Sequence, residues 1–239
     1  MKTKGLLFII CIFVLAISAC SAIVVKESRN LDSFNKIKVE SGIDIYFSQQ
    51  NSQRIEVEAS DEIIKKIITE VIGDELIIKR ENNKKGITFN RNSHRVKVYV
   101  FAPAINNVNL SGGSDFFAAK VKCEGSFKIQ ASGGSDVNID QLAVSGSTDV
   151  SVSGGSDCRI NDLDTKNCSF SASGGSDLDI HLVSADNASV SASGGSDIKL
   201  SGTASDVSVS TSGGSDVYVK NLNYNNIVTN KSGGSDIYQ

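Results

Sequence analysis

Seven aspartates recur at nearly constant spacing in the second half of the chain, each closing a copy of the pentapeptide Ser-Gly-Gly-Ser-Asp. Successive aspartates are separated by 21, 21, 20, 20, 19 and 20 residues. Carboxylate oxygens are ligands that Ca²⁺ prefers, so a row of such residues is a candidate cation site. Whether they form a row depends on the repeating structure that carries them. The seven are Asp115, Asp136, Asp157, Asp177, Asp197, Asp216 and Asp236.

The residues between the copies alternate between apolar and polar types, as in Phe127-Lys128-Ile129 and Val137-Asn138-Ile139. This alternation is typical of a strand with one buried face. A repeat of about twenty residues with short strands and no helix predicts one rung of a parallel β-helix. Leucine-rich repeats need a Leu/Asn consensus that the chain lacks, and propeller blades need about forty residues. The sequence therefore predicts an all-β fold in which residues 111–239 form a β-helix.

In a stack of rungs, each pentapeptide would lie above the previous one at intervals of about 4.8 Å. The paired glycines allow positive φ at a sharp bend, and the Ser and Asp side chains can accept backbone N–H groups there. We therefore favour a structural role at a corner of the coil. Stacked carboxylates would repel one another, so hydrogen bonds or cations must compensate. We expect no cofactor and keep Ca²⁺ as the alternative, although calcium-binding β-rolls repeat roughly every nine residues.

The position two residues after each aspartate should face outward and form a second row, which we call the outer column. Opposite charges on neighbouring rungs attract, and Arg159, Asp179 and Lys199 alternate in sign here. Tyr218 and Tyr238 end the column. They are either a simple stacked pair or candidate aromatic residues for binding a sugar or a partner protein. The outer column comprises Phe117, Asn138, Arg159, Asp179, Lys199, Tyr218 and Tyr238.

The N-terminus has the pattern of an export signal. Lys2 and Lys4 precede an uninterrupted apolar run over residues 6–17, and small residues follow. A basic start, a short apolar run and small residues at the cleavage site predict a signal peptide over residues 1–19. The apolar run is too short for a comfortable membrane span.

The segment Ile17-Ser18-Ala19-Cys20 resembles the bacterial lipobox. The resemblance implies lipidation of Cys20, a tether over residues 20–30 and a membrane partner through the lipid anchor. Ser21 follows the cysteine, and the absence of Asp at that position favours the outer membrane. Both the periplasmic side and the cell surface stay open as the side that the protein faces.

Three cysteines remain in the mature body, because Cys11 lies in the signal peptide and Cys20 is predicted to be lipidated. They have no CxxC spacing that would suit a metal or redox site. We expect buried free thiols at Cys123, Cys158 and Cys168, with one disulfide as the alternative in an oxidising compartment.

Residues 31–110 lack the full pentapeptide but keep short apolar alternations, such as Val96-Lys97-Val98-Tyr99-Val100. Ser41-Gly42-Ile43-Asp44 looks like a degenerate copy of the pentapeptide. Residues 61–69 contain four isoleucines and fit one short helix. Because a repeat array needs an atypical unit at its end, residues 31–110 predict a β-rich N-terminal cap with one short helix.

The order of these motifs resembles the head GIN domain family of auto-transporter adhesins, common among lipoproteins of Bacteroidetes-type bacteria. The resemblance rests on the lipobox, residues 41–47, the Ile-rich helix, the Val-Lys-Val-Tyr-Val-Phe-Ala-Pro segment at 96–103 and the pentapeptides. It covers about residues 31–237. It implies a right-handed β-helix and an adhesive or cell-surface role, and it supplies no agreed catalytic residues.

The charge distribution excludes some partners. The net charge is −3, and residues 111–239 carry 8 Lys and Arg against 15 Asp and Glu, which argues against nucleic acid. We expect a non-catalytic adhesion, binding or structural module of the cell envelope, with a glycan or surface protein as partner. One alternative is a β-helix enzyme acting on polysaccharides, although His94 and His181 lie far apart in the sequence. Another is a self-assembling scaffold, a homo-oligomer formed through the strand edges of the last rung.

Overall fold

The computed structural model describes residues 23–81 and 95–239, which form nineteen strands and one short helix. The all-β prediction is confirmed. Cys20, the signal peptide and His94 lie outside the described residues. Within the described ranges, no helix is long and apolar enough to cross a membrane.

The strands divide into a cap and a repeat region. The cap strands are β1 (Val24–Arg29), β2 (Lys36–Val39), β3 (Ile43–Gln49), β4 (Arg54–Ser60), β5 (Ile67–Ile72), β6 (Glu75–Arg80) and β7 (Val96–Ala102), with helix α1 (Asp61–Ile64) after β4. The repeat strands are β8 (Asn107–Ser111), β9 (Phe116–Cys123), β10 (Phe127–Ser132), β11 (Val137–Ser153), β12 (Cys158–Ser173), β13 (Asp177–Ser184), β14 (Asn187–Ser193), β15 (Asp197–Thr203), β16 (Asp206–Thr211), β17 (Asp216–Asn223), β18 (Asn226–Lys231) and β19 (Asp236–Tyr238).

The strands stack in two long parallel ladders that meet at the pentapeptide corner. The first ladder, before the corner, runs β6, β2, β8, β10, β11, β12, β14, β16, β18. The second ladder, after the corner, runs β7, β3, β9, β11, β12, β13, β15, β17, β19. Strands β11 and β12 span a whole rung and belong to both. The predicted parallel β-helix is confirmed.

Antiparallel strands close the N-terminal end of the stack. Strand β1 pairs antiparallel with β4, β4 with β7, and β5 with β6. The helix predicted over residues 61–69 is wrong in its extent, because α1 ends at Ile64 and β5 begins at Ile67. The β-branched residues that follow favour a strand, and pairing with β6 satisfies their backbone groups.

The inward side chains of both ladders form one continuous core that includes Phe116, Phe127 and Phe170. The thiols of Cys123, Cys158 and Cys168 are buried and free, as predicted. Burial raises the pKa of the Cys168 thiol to about 12 and also raises that of Cys158. These thiols therefore stay protonated and pack as small apolar groups.

Candidate functional site

The seven predicted aspartates lie in one row along the corner of the coil, which we call the aspartate row. Asp177, Asp197, Asp216 and Asp236 are register partners on successive rungs. The Asp136 N–H donates to Asp115 Oδ1 at 3.2 Å, so the backbone of one rung solvates the carboxylate of the previous one. The same bond joins Asp157 to Asp136, Asp177 to Asp157, Asp197 to Asp177 and Asp236 to Asp216.

The backbone donors do not remove the repulsion within the row. Burial raises the pKa of Asp157, the Asp177 N–H opposes that shift, and the carboxylates of Asp136 and Asp177 add to it. The pKa values of Asp115 and Asp197 are also raised, with burial as the largest cause. At Asp115, Asp157 and Asp197, burial and neighbouring carboxylates therefore outweigh the backbone donors.

The row extends into the cap through Asp44, in the degenerate pentapeptide. Ile45 pairs with Phe116, which places Asp44 beside Asp115. One nitrogen of Arg95 lies 3.4 Å from an oxygen of each carboxylate. The sequence hinted at Asp44 through Ser41-Gly42, but no pattern pointed to Arg95.

The degenerate copy is confirmed as a corner of the same stack. Ser41 and Gly42 have φ values of 75° and 70°. The Ser114 hydroxyl oxygen of the next corner accepts the N–H groups of Gly42 and Ile43, at 3.2 and 3.3 Å.

The outer column has the predicted register along all seven positions. Arg159 Nε lies 3.3 Å from Asp179 Oδ2, which confirms the predicted attraction. The rings of Tyr218 and Tyr238 stack with centroids 4.6 Å apart and an interplanar angle of 5°. Lys199 Nζ lies 5.9 Å from the Tyr218 centroid, so the charged and aromatic parts of the column are in contact.

The cap continues the outer column with aromatic residues that the sequence reasoning missed. The Tyr46 ring stacks on Phe117 with centroids 5.2 Å apart and on Tyr99 at 5.3 Å. Lys26 Nζ lies 4.3 Å from the Tyr99 centroid. The signal was available, because Tyr46 follows Asp44 at the same offset as Phe117 follows Asp115.

A shallow groove of about 280 Å³ lies between the aspartate row and the outer column. Carboxylates form one wall, and Asn138, Arg159, Asp179 and Lys199 form the other. A second groove of about 590 Å³ lies where Pro103–Asn106 meets the repeat region, and includes Gln49, Lys122 and Cys123. The first groove includes four of the seven residues of the aspartate row and four of the seven residues of the outer column.

The carboxylates of the aspartate row lie on successive rungs and do not converge on one point. In residues 23–81 and 95–239, no three His, Cys, Asp or Glu side chains are placed to hold one metal ion. His181 Nδ1 lies 3.0 Å from Ser201 Oγ on the exposed surface. The arrangement suits contacts with an extended ligand, and the Ca²⁺ alternative stays a prediction.

Known structures share this architecture. A crystal structure of a "putative adhesin" from Bacteroides fragilis NCTC 9343 superposes with a TM-score of 0.76 at 18% identity, covering 91% of this chain and 97% of that one. A "putative adhesin" from Parabacteroides merdae ATCC 43184 has a TM-score of 0.70 at 18% identity, with 90% and 95% covered. A "putative lipid binding protein" from Parabacteroides distasonis ATCC 8503 has a TM-score of 0.63 at 16% identity, with 90% and 96% covered.

No curated protein sequence matches the chain. A family model does, over residues 33–157 and again over 146–238, and its description is "Putative auto-transporter adhesin, head GIN domain". The two matches together span residues 33–238, which include the cap from β2 onwards and nearly all of the repeat region. The chain therefore belongs to the head GIN domain family, as its motifs predicted.

Proposed function

We propose that this protein is an outer-membrane lipoprotein that acts as a non-catalytic adhesion module and binds polysaccharide along the groove between the aspartate row and the outer column. The observation that carries the proposal is the groove itself, with carboxylates on one wall and Asn, Arg, Asp and Lys on the other. Such groups match the hydroxyl donors and acceptors of a sugar chain at regular intervals. Membership of an adhesin family supports the same role.

The polarity of the surface favours a glycan over a protein as the partner. Protein interfaces have an apolar centre in which charged residues are depleted. The large apolar side chains exposed in the described residues are scattered over the molecule: Ile23, Val24, Ile72, Val183 and Val228. The groove instead offers ionic and amide groups, with the stacked Tyr218 and Tyr238 further along the outer column.

The membrane anchor is part of the proposal. Cys20 in the lipobox would carry the lipid, and the first described strand begins at Val24. The tether predicted over residues 20–30 would then be reduced to three residues between the anchor and the cap, because β1 (Val24–Arg29) pairs with β4. Because β1 lies at one end of the stack and β19 at the other, the repeat region would extend away from the anchor.

The test is adhesion of bacterial cells that display the full chain to an array of immobilised polysaccharides. We expect retention on a subset of the array, with a loss of at least about tenfold for Arg159→Ala, which removes a charge from the groove wall. The matched control is Lys128→Ala, an exposed charge on the other ladder, which should bind like the wild type.

Two further measurements separate the alternatives. Incorporation of labelled palmitate should occur in the wild type and disappear in Cys20→Ser. Release of reducing ends from the array polysaccharides tests the enzyme alternative. The non-catalytic role would be overturned by enzymatic turnover that a single substitution in the aspartate row abolishes. The groove would be overturned as the binding site if Arg159→Ala bound as well as the wild type.

A further inference from the structure

We propose that the rung formed by β18 and β19 places polar residues at core positions, so that the surface it exposes rejects a second copy of the chain. This goes beyond the proposed function and concerns the C-terminal edge of the described stack. A parallel β-helix ends in a row of unpaired backbone N–H and C=O groups, which is a template for strand pairing. In the described residues, strands β18 and β19 form this edge.

Lys231 occupies a position that is buried on every other rung of the first ladder. Its register partner is Thr211, and the column continues towards the cap. In order from the cap, the buried members are Ile78, Val39, Leu110, Ala131, Val152, Ala172, Ala192 and Thr211. The Lys231 side chain is 60% exposed and its ammonium lies 3.1 Å from Asp236 Oδ1. A lysine therefore replaces the small or apolar residue that the core would need.

Thr229, two residues before Lys231 on the same strand, repeats the substitution. It pairs with Val209, and the buried members of its column are Leu76, Ile37, Val108, Ile129, Val150, Phe170, Val190 and Val209. Val228, which faces outward between Thr229 and Ile227, is 69% exposed. Strand β18 therefore has polar residues at the inner positions of its second half, where the preceding strands of its ladder have buried residues.

The second ladder keeps its apolar pattern to the end. Ile237 pairs with Val217 and Tyr238 pairs with Tyr218. Because only β18 has polar residues at these inner positions, they occupy one half of the end surface. A second copy that stacked tail to tail would bury the ion pair of Lys231 and Asp236 away from water, and the cost of desolvating both charges can exceed their mutual attraction. Inward-pointing charges of this kind block edge-to-edge association of β-sheets.

The test compares the full chain with the double variant Thr229→Val/Lys231→Ala, which restores the core pattern of the preceding rungs. Sedimentation of both proteins in one non-ionic detergent gives the protein mass per particle over a concentration series. We expect a constant monomer mass for the wild type. For the double variant, we expect a rise towards twice that mass, and Lys231→Ala alone should give a smaller rise.

Lys220→Ala is the matched control, because it removes one exposed lysine from β17 without changing the inner face. It should keep the monomer mass. Circular dichroism checks that each variant retains its strands. A wild type that already associates, a double variant and a single variant that both stay monomeric, or association of Lys220→Ala would each overturn the proposal.

Discussion

The same pentapeptide folds in two ways along one solenoid. Both glycines have positive φ in the early corners, at residues 112–113, 133–134, 154–155 and 174–175. Only the first glycine does in the late corners, at 194–195, 213–214 and 233–234. The early pattern corresponds to a type I′ turn and the late pattern to a type II′ turn, and these two types differ by a flip of the central peptide. The pentapeptide alone therefore does not determine the backbone conformation of its corner, and the contacts between rungs select the turn type.

The flip redirects the hydrogen bonds between rungs. In the early corners the buried serine accepts a backbone N–H from the preceding rung, as Ser156 Oγ does from Ser135 at 3.0 Å. In the last two corners the second glycine donates to the rung before it, from the Gly214 N–H to Gly194 O and from the Gly234 N–H to Gly213 O, both at 2.8 Å. The serine hydroxyl there donates within its own corner, from Ser215 Oγ to Ser212 O at 2.9 Å, as the Ser114 hydroxyl in the first corner also does to Ser111 O. Both kinds of corner also have backbone bonds between rungs, because in the early corners the first glycine N–H donates to the next rung, as from Gly133 to Ser153 O at 3.3 Å. The difference between the corners is therefore which backbone N–H groups bond across rungs and whether the serine oxygen accepts one of them.

Substitution of the first glycine should have the largest effect and should be worse in a late corner. A Cβ on Gly213 would lie 2.8 Å from Gly194 O, whereas a Cβ on Gly133 would lie 3.4 Å from Gly112 N. Both positions have positive φ. Gly133→Ala should lower the free energy of unfolding by about 1–2 kcal/mol through backbone strain alone. Gly213→Ala should lower it by about 3 kcal/mol, because a backbone clash is added.

Urea denaturation of the two variants measures this difference. Gly73→Ala is the control for backbone strain, because Gly73 lies in the cap with φ +67° and no atom lies within 4 Å of its Cβ position. Equal losses for Gly133→Ala and Gly213→Ala would contradict the closer approach of the late corners.

Removal of the buried serine should have the next largest effect, and here the early corners should be more sensitive. Ser156→Ala leaves the buried Ser135 N–H without its acceptor, which costs about 1–3 kcal/mol. Ser215→Ala removes a donor to a carbonyl, and should cost about 1 kcal/mol. Urea denaturation checks the order, and a larger loss for Ser215→Ala would show that the hydroxyl roles are misassigned.

The repeat predicts the fold well because spacing and alternation are properties of the chain. The parallel ladders, the aspartate row and the stacked pair Tyr218–Tyr238 all follow from that period. The sequence does not predict the two corner types, because Gly155 and Gly195 occupy identical pentapeptides. The end of α1 and the bridging role of Arg95 were also missed, since tertiary pairing and a contact outside the repeat determine them.

Substitution of the second glycine should give effects of opposite sign in the two kinds of corner. A Cβ would meet no atom within 4 Å at Gly155 or at Gly195, and only Gly155 has positive φ, at +74°. Gly155→Ala should therefore destabilise the protein by about 1 kcal/mol. Gly195→Ala should stabilise it by about 0.4–1 kcal/mol, because alanine restricts the unfolded chain. Thermal melting of both variants checks the signs, and a loss in both would refute the flip.

The smallest expected effect concerns the aspartate row, which runs through both kinds of corner. The pKa values of Asp157, in an early corner, and of Asp197, in a late one, are both raised, chiefly by burial. At pH values just above the ordinary aspartate pKa of 3.8, the native state therefore binds more protons than the unfolded chain does. The stability that these protonated aspartates contribute is present at acidic pH, and it is lost as the pH rises through their raised pKa values. Asp157→Asn and Asp197→Asn keep the side-chain oxygen and remove one repelling charge.

Each variant should be more stable than the wild type at neutral pH, by a few tenths of a kcal/mol at most because solvent screens the exposed carboxylates. The gain should shrink towards acidic pH, where the wild-type aspartates become protonated. Denaturation as a function of pH measures both gains. Equal gains mean that the aspartate row is electrostatically continuous across the change of corner. A gain confined to Asp157→Asn would mean that the peptide flip also divides the row.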